Sequence, residues 1–573
     1  MFQKNEESTV VYVNNNNNND NDNKLQQVAI SPSTTSSWSS DDENRKENYT
    51  WGRLISSVLV LIITITLVVG RTTYVNKPSR VSSIDSHINR LHQYNQYNEY
   101  NVYFDALQPV LHIVSDQFLS FGLDTSLLRR MNKLPIERGK FIKLASHLSP
   151  AYLRIGGTSA DCLTFVENQT EISSSQIFSP INDQDISNFT ISGDDLLAIY
   201  NFSKMSNLRM IFDLNVLLRN PDGSWNDSNA RKIIAFAKNK NMTLDWQLGN
   251  EPNSFKHVFN VTISPSELAK DYAHLRKLLN EAGYKESFLV GPEVNHVGEQ
   301  SHMGEVYAET FLSSQTDTVN FVTWHQYYLN GREAEVKDFV NPNTFNWLSK
   351  QIESMKEYIA KSGRTVPMWL SETSTAFGGG APGLSDRFVA GFLWLDKLGC
   401  SAKAGVKVVT RQSLFGGDYA MVSPSLTPNP DWWVSVFYKR YVSGRVLDLD
   451  VPGNNGTLRL YAHCSTRTER SIVTLYGVNI ANRKAVVNLS KKLFKKKNMF
   501  VKYYILTSDN LQSSKIKAND EELKLKFNGD LPEFHPRIII STTTTKITLP
   551  PYSMVFALIY NIFIPVCRVR INF

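Results

Sequence analysis

Beyond about residue 104, short apolar runs closed by polar or glycine-bearing turns alternate with longer stretches in which apolar residues recur every three or four positions. The first texture predicts strands buried on both faces and the second predicts amphipathic helices. Eight strand candidates follow: Phe118–Leu123, Ala151–Ile155, Arg209–Asn215, Leu244–Asn250, Phe288–Glu293, Phe321–Tyr327, Met368–Thr373 and Lys407–Gln412. Helical stretches lie between them at Asn229–Lys240, Ser266–Ala282 and Asn343–Ala360, the second opening on a Ser-Pro-Ser-Glu start signal. Eight strand–helix units in roughly 300 residues predict an α/β fold, a (β/α)8 TIM barrel over residues 110–430.

After about Asp431 the pattern changes to alternating strands separated by turn clusters: Thr457–Cys464, Ser471–Asn479, Ala485–Leu489, Phe500–Thr507, Leu523–Phe527 and Lys546–Tyr560. This predicts a C-terminal antiparallel β-sandwich domain over residues 431–573, to which Val110–Val114 is expected to add a strand.

The head of the chain has neither texture. Residues 1–50 are polar, with an Asn run at 14–19 and a Ser/Thr-rich stretch, and cannot bury enough apolar surface to fold. An apolar stretch from Leu54 to Val69, about sixteen residues long, is short for a spanning helix and long for a signal core. It reads either as a cleaved signal peptide or as a type II signal anchor over residues 54–70, and a membrane is a partner only if it stays uncleaved. A Tyr/Asn-rich linker is expected over 71–104.

Both readings of that stretch place the body of the chain in the secretory pathway, in an extracellular, lysosomal or membrane-anchored setting. Eight Asn-x-Ser/Thr sequons agree: Asn168, Asn188, Asn201, Asn226, Asn241, Asn260, Asn455 and Asn488. Four cysteines exclude a disulfide scaffold; Cys464 and Cys567 share the C-terminal part and are expected to pair, leaving Cys162 and Cys400 as buried thiols. A net charge of +7 over 573 residues gives nucleic-acid binding no support.

The ends of the barrel strands carry the chemistry. Functional groups in such barrels gather at the C-terminal ends of the strands, and here those ends supply Asp124, Arg154, Asn215, the pair Asn250-Glu251, Glu293, His325 with Tyr327, Glu372 and Gln412. Two strands that each deliver a carboxylic acid to one rim are what hydrolysis of a glycosidic bond needs. No metal and no cofactor are expected.

Five stretches make the pattern specific: Leu148-Ser-Pro-Ala-Tyr-Leu-Arg-Ile-Gly-Gly-Thr158, Gln247-Leu-Gly-Asn-Glu-Pro-Asn-Ser-Phe255, Thr323-Trp-His-Gln-Tyr-Tyr-Leu-Asn-Gly-Arg332, Ser371-Glu-Thr-Ser-Thr-Ala-Phe-Gly-Gly-Gly-Ala-Pro382 and Ala390-Gly-Phe-Leu-Trp-Leu-Asp-Lys-Leu-Gly399. With them the chain, from about Val110 to Cys567, resembles glycoside hydrolase family 79, the family of the animal heparanases. The resemblance implies a retaining endo-β-glucuronidase of glucuronate-containing glycosaminoglycans, heparan sulfate first among them. Glu251 matches the acid/base and Glu372 the nucleophile. Tyr327 and Arg154 are the natural donors to Glu372, and Asn250 is placed to bond the sugar 2-hydroxyl. The loop at Gly378 and Gly379, together with Tyr419, matches the part that binds the uronate carboxylate; Asp124, Thr158, His325, Arg332 and Gln412 match further substrate-lining positions.

The chain departs from the family pattern in places. The stretch Glu293–His302 has no Arg or Lys where the heparan sulfate enzymes are basic, although Arg332 is retained and His296 is available to an acidic compartment. Segment 167–207, matching a linker excised on activation, has Lys204 as its only basic residue, and Phe377 replaces a Tyr. The lysine-rich run 491–497 is a possible polyanion contact or a solvated turn. Two alternatives stay open: a catalytically silent heparan-sulfate-binding protein, of which the family has a branch, and an exo-acting β-glucuronidase of the same fold.

Overall fold

The computed structural model describes residues 97–104, 108–168, 186–314, 317–465, 472–489, 499–542, 545–562 and 564–567. The polar head, the apolar stretch at 54–70 and the lysine run at 491–497 lie outside the described residues, which contain no helix long and apolar enough to cross a membrane.

Eight parallel strands close into a barrel: β1 (Leu119–Asp124), β2 (Ala151–Gly156), β3 (Leu208–Leu214), β4 (Asp245–Leu248), β5 (Leu289–Val294), β6 (Phe321–Gln326), β7 (Met368–Thr373) and β8 (Val409–Arg411). Each pairs with the next, and β8 closes on β1 through Val409 and Leu119. All eight coincide with the predicted runs to within a few residues. Strand β4 is shorter than predicted, because Gly249 and Glu251 take φ of +80° and +54° and turn the chain off the strand before Asn250 and Glu251.

The barrel interior is layered. Tyr152, Ile211, Val290, Trp369 and Val408 form an apolar plug apart from the main core. Two residues further along β2 and β3 the inward side chains become Arg154 and Asp213, joined by Gln247 of β4, all buried. The apolar neighbours on the opposite strand faces, such as Leu153, Phe212 and Leu370, pack outward against the helices. The Ser-Pro-Ser-Glu signal does what its chemistry predicts. Ser264 and Glu267 form a reciprocal capping box, with Pro265 opening helix Pro265–Glu281.

A second part follows the barrel. Arg445–Leu447, Leu458–Cys464, Val473–Asn479, Ser553–Tyr560, Met499–Thr507 and shorter strands form a nine-stranded antiparallel sheet, with His112–Ile113 at one edge as expected of Val110–Val114. Residues from this sheet and from a three-stranded one share one apolar core, including Leu460, Leu475, Val487 and Ile547. Helix Ala390–Lys403 is buried almost throughout its length and joins barrel to sheet. Asp396 on it accepts from Arg459 Nε and from the Tyr461 hydroxyl, each at 2.6 Å. Gly399 admits the Tyr461 ring; a Cβ there would lie 2.1 Å from it.

Several expectations are corrected here. The linker expected over 71–104 holds a strand, Tyr97–Val102, which pairs in parallel with Lys484–Leu489 in the three-stranded sheet. The predicted single strand Lys546–Tyr560 is two, Thr545–Leu549 and Ser553–Tyr560, in different sheets, because Pro550 and Pro551 between them have no N–H for a ladder. Leu523–Phe527 is not a strand; Arg537–Ser541 pairs with Met499–Thr507 instead. In segment 167–207, residues 169–185 lie outside the described residues, while Phe189–Ser192 and Gly193–Met205 are a strand and a helix. Cys464 and Cys567 form a disulfide, and Cys162 and Cys400 are free and buried.

Candidate active site

Arg154, rising from the polar layer at the end of β2, organises the centre of the site. It is 2 % exposed, and its fork is spent on four partners. Nη1 donates to Glu372 Oε2 at 2.6 Å, Nη2 to Asn250 Oδ1 at 2.7 Å, and Nε to Gln247 Oε1 at 3.0 Å. Nη2 also faces Glu293 Oε2 at 3.4 Å. A planar guanidinium suits this task, since it directs several donors along fixed lines. Gln247 in turn donates to Asp213 Oδ2 at 2.8 Å.

The two predicted acids meet across His325. An oxygen of Glu251, an oxygen of Glu372 and a ring nitrogen of His325 lie within 4.8 Å of one another. Their surroundings differ sharply. Both oxygens of Glu372 are engaged, Oε2 by Arg154 and Oε1 by the Tyr327 hydroxyl at 2.7 Å. Burial works to raise the Glu372 pKa, but His325, Arg154 and the Tyr327 hydrogen bond outweigh it and hold the carboxyl below its ordinary value. Glu251 meets His325 Nδ1 through Oε1 at 2.7 Å, and its side chain is 23 % exposed against 11 % for Glu372. Burial opposes charge on His325 too, yet Glu372, Glu251 and Glu293 raise its pKa to about 10. Both ring nitrogens of His325 and both oxygens of Glu372 already have side-chain partners, which leaves few free ligand atoms for a metal ion in this cluster.

Local backbone brings Glu251 here. Its left-handed φ of +54° is costly for a residue with a side chain, and Pro252 behind it fixes the exit of the turn. The turn is tied down from below: Asn250 N donates to Asp161 Oδ2 at 2.8 Å and Glu251 N to the Glu293 carbonyl at 3.1 Å. Asp161 also accepts from Val216 N at 3.0 Å. Burial raises its pKa to about 7 against these two hydrogen bonds and the charges of Arg219 and Arg154.

The remaining candidates lie around the rim. Gln412 donates to Asp124 Oδ2 at 2.9 Å, and Thr158 is half-buried at the start of the turn after β2. Gly378, Gly379 and Gly380 all take positive φ. The loop is held by the Asp418–Tyr419 segment: Asp418 N donates to the Gly379 carbonyl at 2.7 Å, and a Cβ on Gly380 would lie 2.7 Å from Tyr419 N. Only a glycine loop passes this close, and it places buried Tyr419 beside it. Arg332 is exposed. His296 is engaged by Glu299 at 2.7 Å, a contact that competes with any substrate anion.

Four buried polar residues around the acids escaped the sequence reading as site residues: Asp161, Asp213, Gln247 and Ser371. For Gln247 and Ser371 the available signal is a polar residue within an otherwise apolar strand run. Glu293 is legible in the sequence only as a polar strand end. Of the sequon asparagines, Asn168, Asn188, Asn201, Asn241, Asn260 and Asn455 are exposed, whereas Asn226 and Asn488 are half-buried.

The profile of glycosyl hydrolase family 79, N-terminal domain, matches residues 129–399. Heparanase of Bos taurus is 34% identical over 501 residues, covering 80% of this chain and 91% of that protein. Hyaluronoglucuronidase of Hirudo nipponia is 29% identical over 501 residues, 80% of this chain and 97% of that one. Among solved structures, a 4-O-α-L-rhamnosyl-β-D-glucuronidase from Fusarium oxysporum superposes with a TM-score of 0.59 at 15% identity, over 80% of this chain and 99% of that one, a likeness of fold.

Proposed function

The chain belongs to glycoside hydrolase family 79 and is a glycoside hydrolase, and from that premise we propose that it is a retaining endo-β-glucuronidase that cleaves glucuronate-containing glycosaminoglycans, heparan sulfate among them. The observation that carries the reading is the unequal treatment of two close carboxyls. Oxygens of Glu251 and Glu372 lie within 4.8 Å, which belongs with the roughly 5 to 5.5 Å carboxyl spacing of double displacement rather than the roughly 6.5 to 9.5 Å that admits a water.

Glu372, held ionised by two donors, attacks the anomeric carbon while Glu251 gives a proton to the departing glycosidic oxygen. Water, deprotonated by Glu251, then releases the sugar from Glu372 with the original configuration. Asn250 Oδ1 is occupied by Arg154, so its amide nitrogen remains to donate to the sugar 2-hydroxyl, a contact that strengthens in the transition state. The backbone N–H groups of the Gly378–Gly380 loop and the Tyr419 hydroxyl receive the uronate carboxylate. Asp124, Thr158, Gln412 and Arg332 line the neighbouring subsites. A catalytically silent binding protein has no use for a nucleophile kept ionised at the cost of burial.

One observation favours a second substrate reading. The strand-five loop brings no Arg or Lys to the cleft and its His296 is occupied by Glu299, so chains of low sulfation, hyaluronan included, fit this site as well as sulfated ones. The disulfide and the exposed sequon asparagines support a secretory-pathway, extracellular or lysosomal setting. Incubation of the purified protein with size-defined heparan sulfate, hyaluronan and an aryl β-glucuronide, at acidic and at neutral pH, tests the reading. Internal cleavage of a glucuronate-containing chain supports it, and release of single terminal residues alone supports the exo alternative.

A further inference from the structure

Glu293 is a third carboxylate in the active site that the double displacement does not use. It is fully buried at the end of β5, with φ of +60°, a left-handed conformation that costs a residue with a side chain. Three groups converge on its Oε2: Ser371 Oγ donates at 2.7 Å, His325 Nε2 lies at 2.8 Å and Arg154 Nη2 at 3.4 Å. An ionised carboxylate only accepts, so the hydrogen between Glu293 and His325 resides on Nε2. The opposite ring nitrogen, Nδ1, faces Glu251 Oε1 at 2.7 Å. The three side chains therefore form a line, Glu293–His325–Glu251, running from the barrel interior to the reacting edge.

We infer that Glu293 is a positioning residue for the acid/base: it fixes the His325 ring with Nε2–H inward and holds it as an imidazolium whose Nδ1–H occupies one oxygen of Glu251, leaving the other for proton transfer. This rests on reading Glu251 as the acid/base. In the first half of the reaction the proton on Glu251 Oε2 passes to the glycosidic oxygen as its bond to the anomeric carbon breaks. The carboxylate left behind still accepts from Nδ1–H. In the second half Oε2 takes a proton from the attacking water, and the imidazolium neither gains nor loses one.

The charges facing this line come from every side of the barrel. Arg154 on β2 is the positive neighbour; Asp213 on β3, Glu251 after β4 and Glu372 on β7 carry carboxyls, and Tyr272 and Tyr327 bring hydroxyls. Burial works against charge on His325, and Glu372, Glu251 and Glu293 together reverse that and raise its pKa to about 10. Removing one of the three carboxylates in a dry interior lowers the proton affinity of the ring. Glu293→Gln does so with nearly unchanged shape, since the amide oxygen still accepts from Nε2–H.

The test pairs nitrogen NMR of the His325 imidazole with the pH profile of kcat/KM on an aryl β-glucuronide, in the full-length protein and in Glu293→Gln and Glu293→Asp. In the unaltered protein both ring nitrogens are expected to be protonated between about pH 5 and 8. In Glu293→Gln the ring is expected to titrate within that range, with the alkaline limb of kcat/KM moving about one pH unit lower or more, a tenfold loss at the alkaline end relative to the acidic end. Glu293→Asp is expected to restore the limb. A bare Nε2 in the unaltered protein overturns the inference without any variant, and so does a Glu293→Gln enzyme slowed equally at every pH with an unshifted ring. The NMR readout needs no turnover, so a protein inert on the glucuronide counts against the proposed activity and leaves the imidazole result to decide this inference.

Discussion

Arg154 and Glu372 meet at 2.6 Å through Nη1 and Oε2, from β2 and β7, two strands that β1 and β8 separate in the barrel wall. The pair is nearly dry, with side-chain exposures of 3% and 11%, so its charges act on one another with little solvent screening. Because Arg154 also bonds Asn250, the same guanidinium aligns the proposed nucleophile and the amide expected to touch the sugar.

That arrangement makes stability depend on pH with a defined sign. Glu372 has a depressed pKa when folded, so its contribution is present above about pH 4.3 and lost as pH falls through the folded value. His325 has the opposite sign: its contribution is complete below about pH 6.5 and is lost as pH rises toward about 10. Melting temperatures of the unaltered protein relative to Glu372→Gln are therefore expected to rise from low pH to about pH 5, and those relative to His325→Asn to fall above about pH 7. Differences that stay flat in pH contradict these signs.

Glu251→Gln removes the proposed proton donor and keeps the shape. Turnover of natural chains is expected to fall by about a hundredfold or more. Glycosylation by an aryl glucuronide whose leaving group needs no protonation is expected to persist, giving a burst of aryl alcohol in stopped flow. A variant with no burst speaks against Glu251 as the acid.

The disulfide ties Cys567 back to Cys464 on the nine-stranded sheet, across a sequence separation of 103. Replacing both cysteines with Ser is expected to lower stability by about 2 to 4 kcal/mol, read from denaturant midpoints. Non-reducing peptide maps in which both thiols react freely would remove the bridge.

Sulfation is expected to matter less than for a cleft lined with cations. Each charge-assisted sulfate contact is worth about 1.5 to 3 kcal/mol, so a loop without Arg or Lys between Glu293 and His302 forfeits about tenfold or more in preference for sulfated chains. Cleavage rates on chains matched except for sulfate, at low and moderate salt, measure this. A steep sulfate preference that survives neutralising Arg332 and the lysines at 491–497 would place the contacts elsewhere.

The barrel was legible because its strands, buried on both faces, read as apolar runs that end in polar residues. The acids were legible because Asn250-Glu251-Pro252 and Glu372 close two such runs. What escaped depends on contacts distant in sequence. Tyr97–Val102 turns inward at Tyr100 and Val102 only, too short an alternation to stand out, and its partner Lys484–Leu489 lies nearly 400 residues away. Asp161 reads as an ordinary loop acid until the fold brings its oxygens to the amides of Asn250 and Val216. The roles of Gln247 and Ser371 likewise exist only once the strands have closed on Arg154 and Glu293.

Trapping the covalent intermediate tests the central claim most directly. A 2-fluoro-β-glucuronosyl fluoride, which slows release of the sugar far more than its capture, is incubated with the protein, and the adduct is located by peptide mass spectrometry. One glucuronosyl group on the peptide carrying Glu372, absent from Glu372→Gln, is the expected result. An unlabelled protein that nonetheless hydrolyses the aryl glucuronide, or a label on another carboxylate, would contradict the assignment of Glu372 as the nucleophile of a retaining glucuronidase.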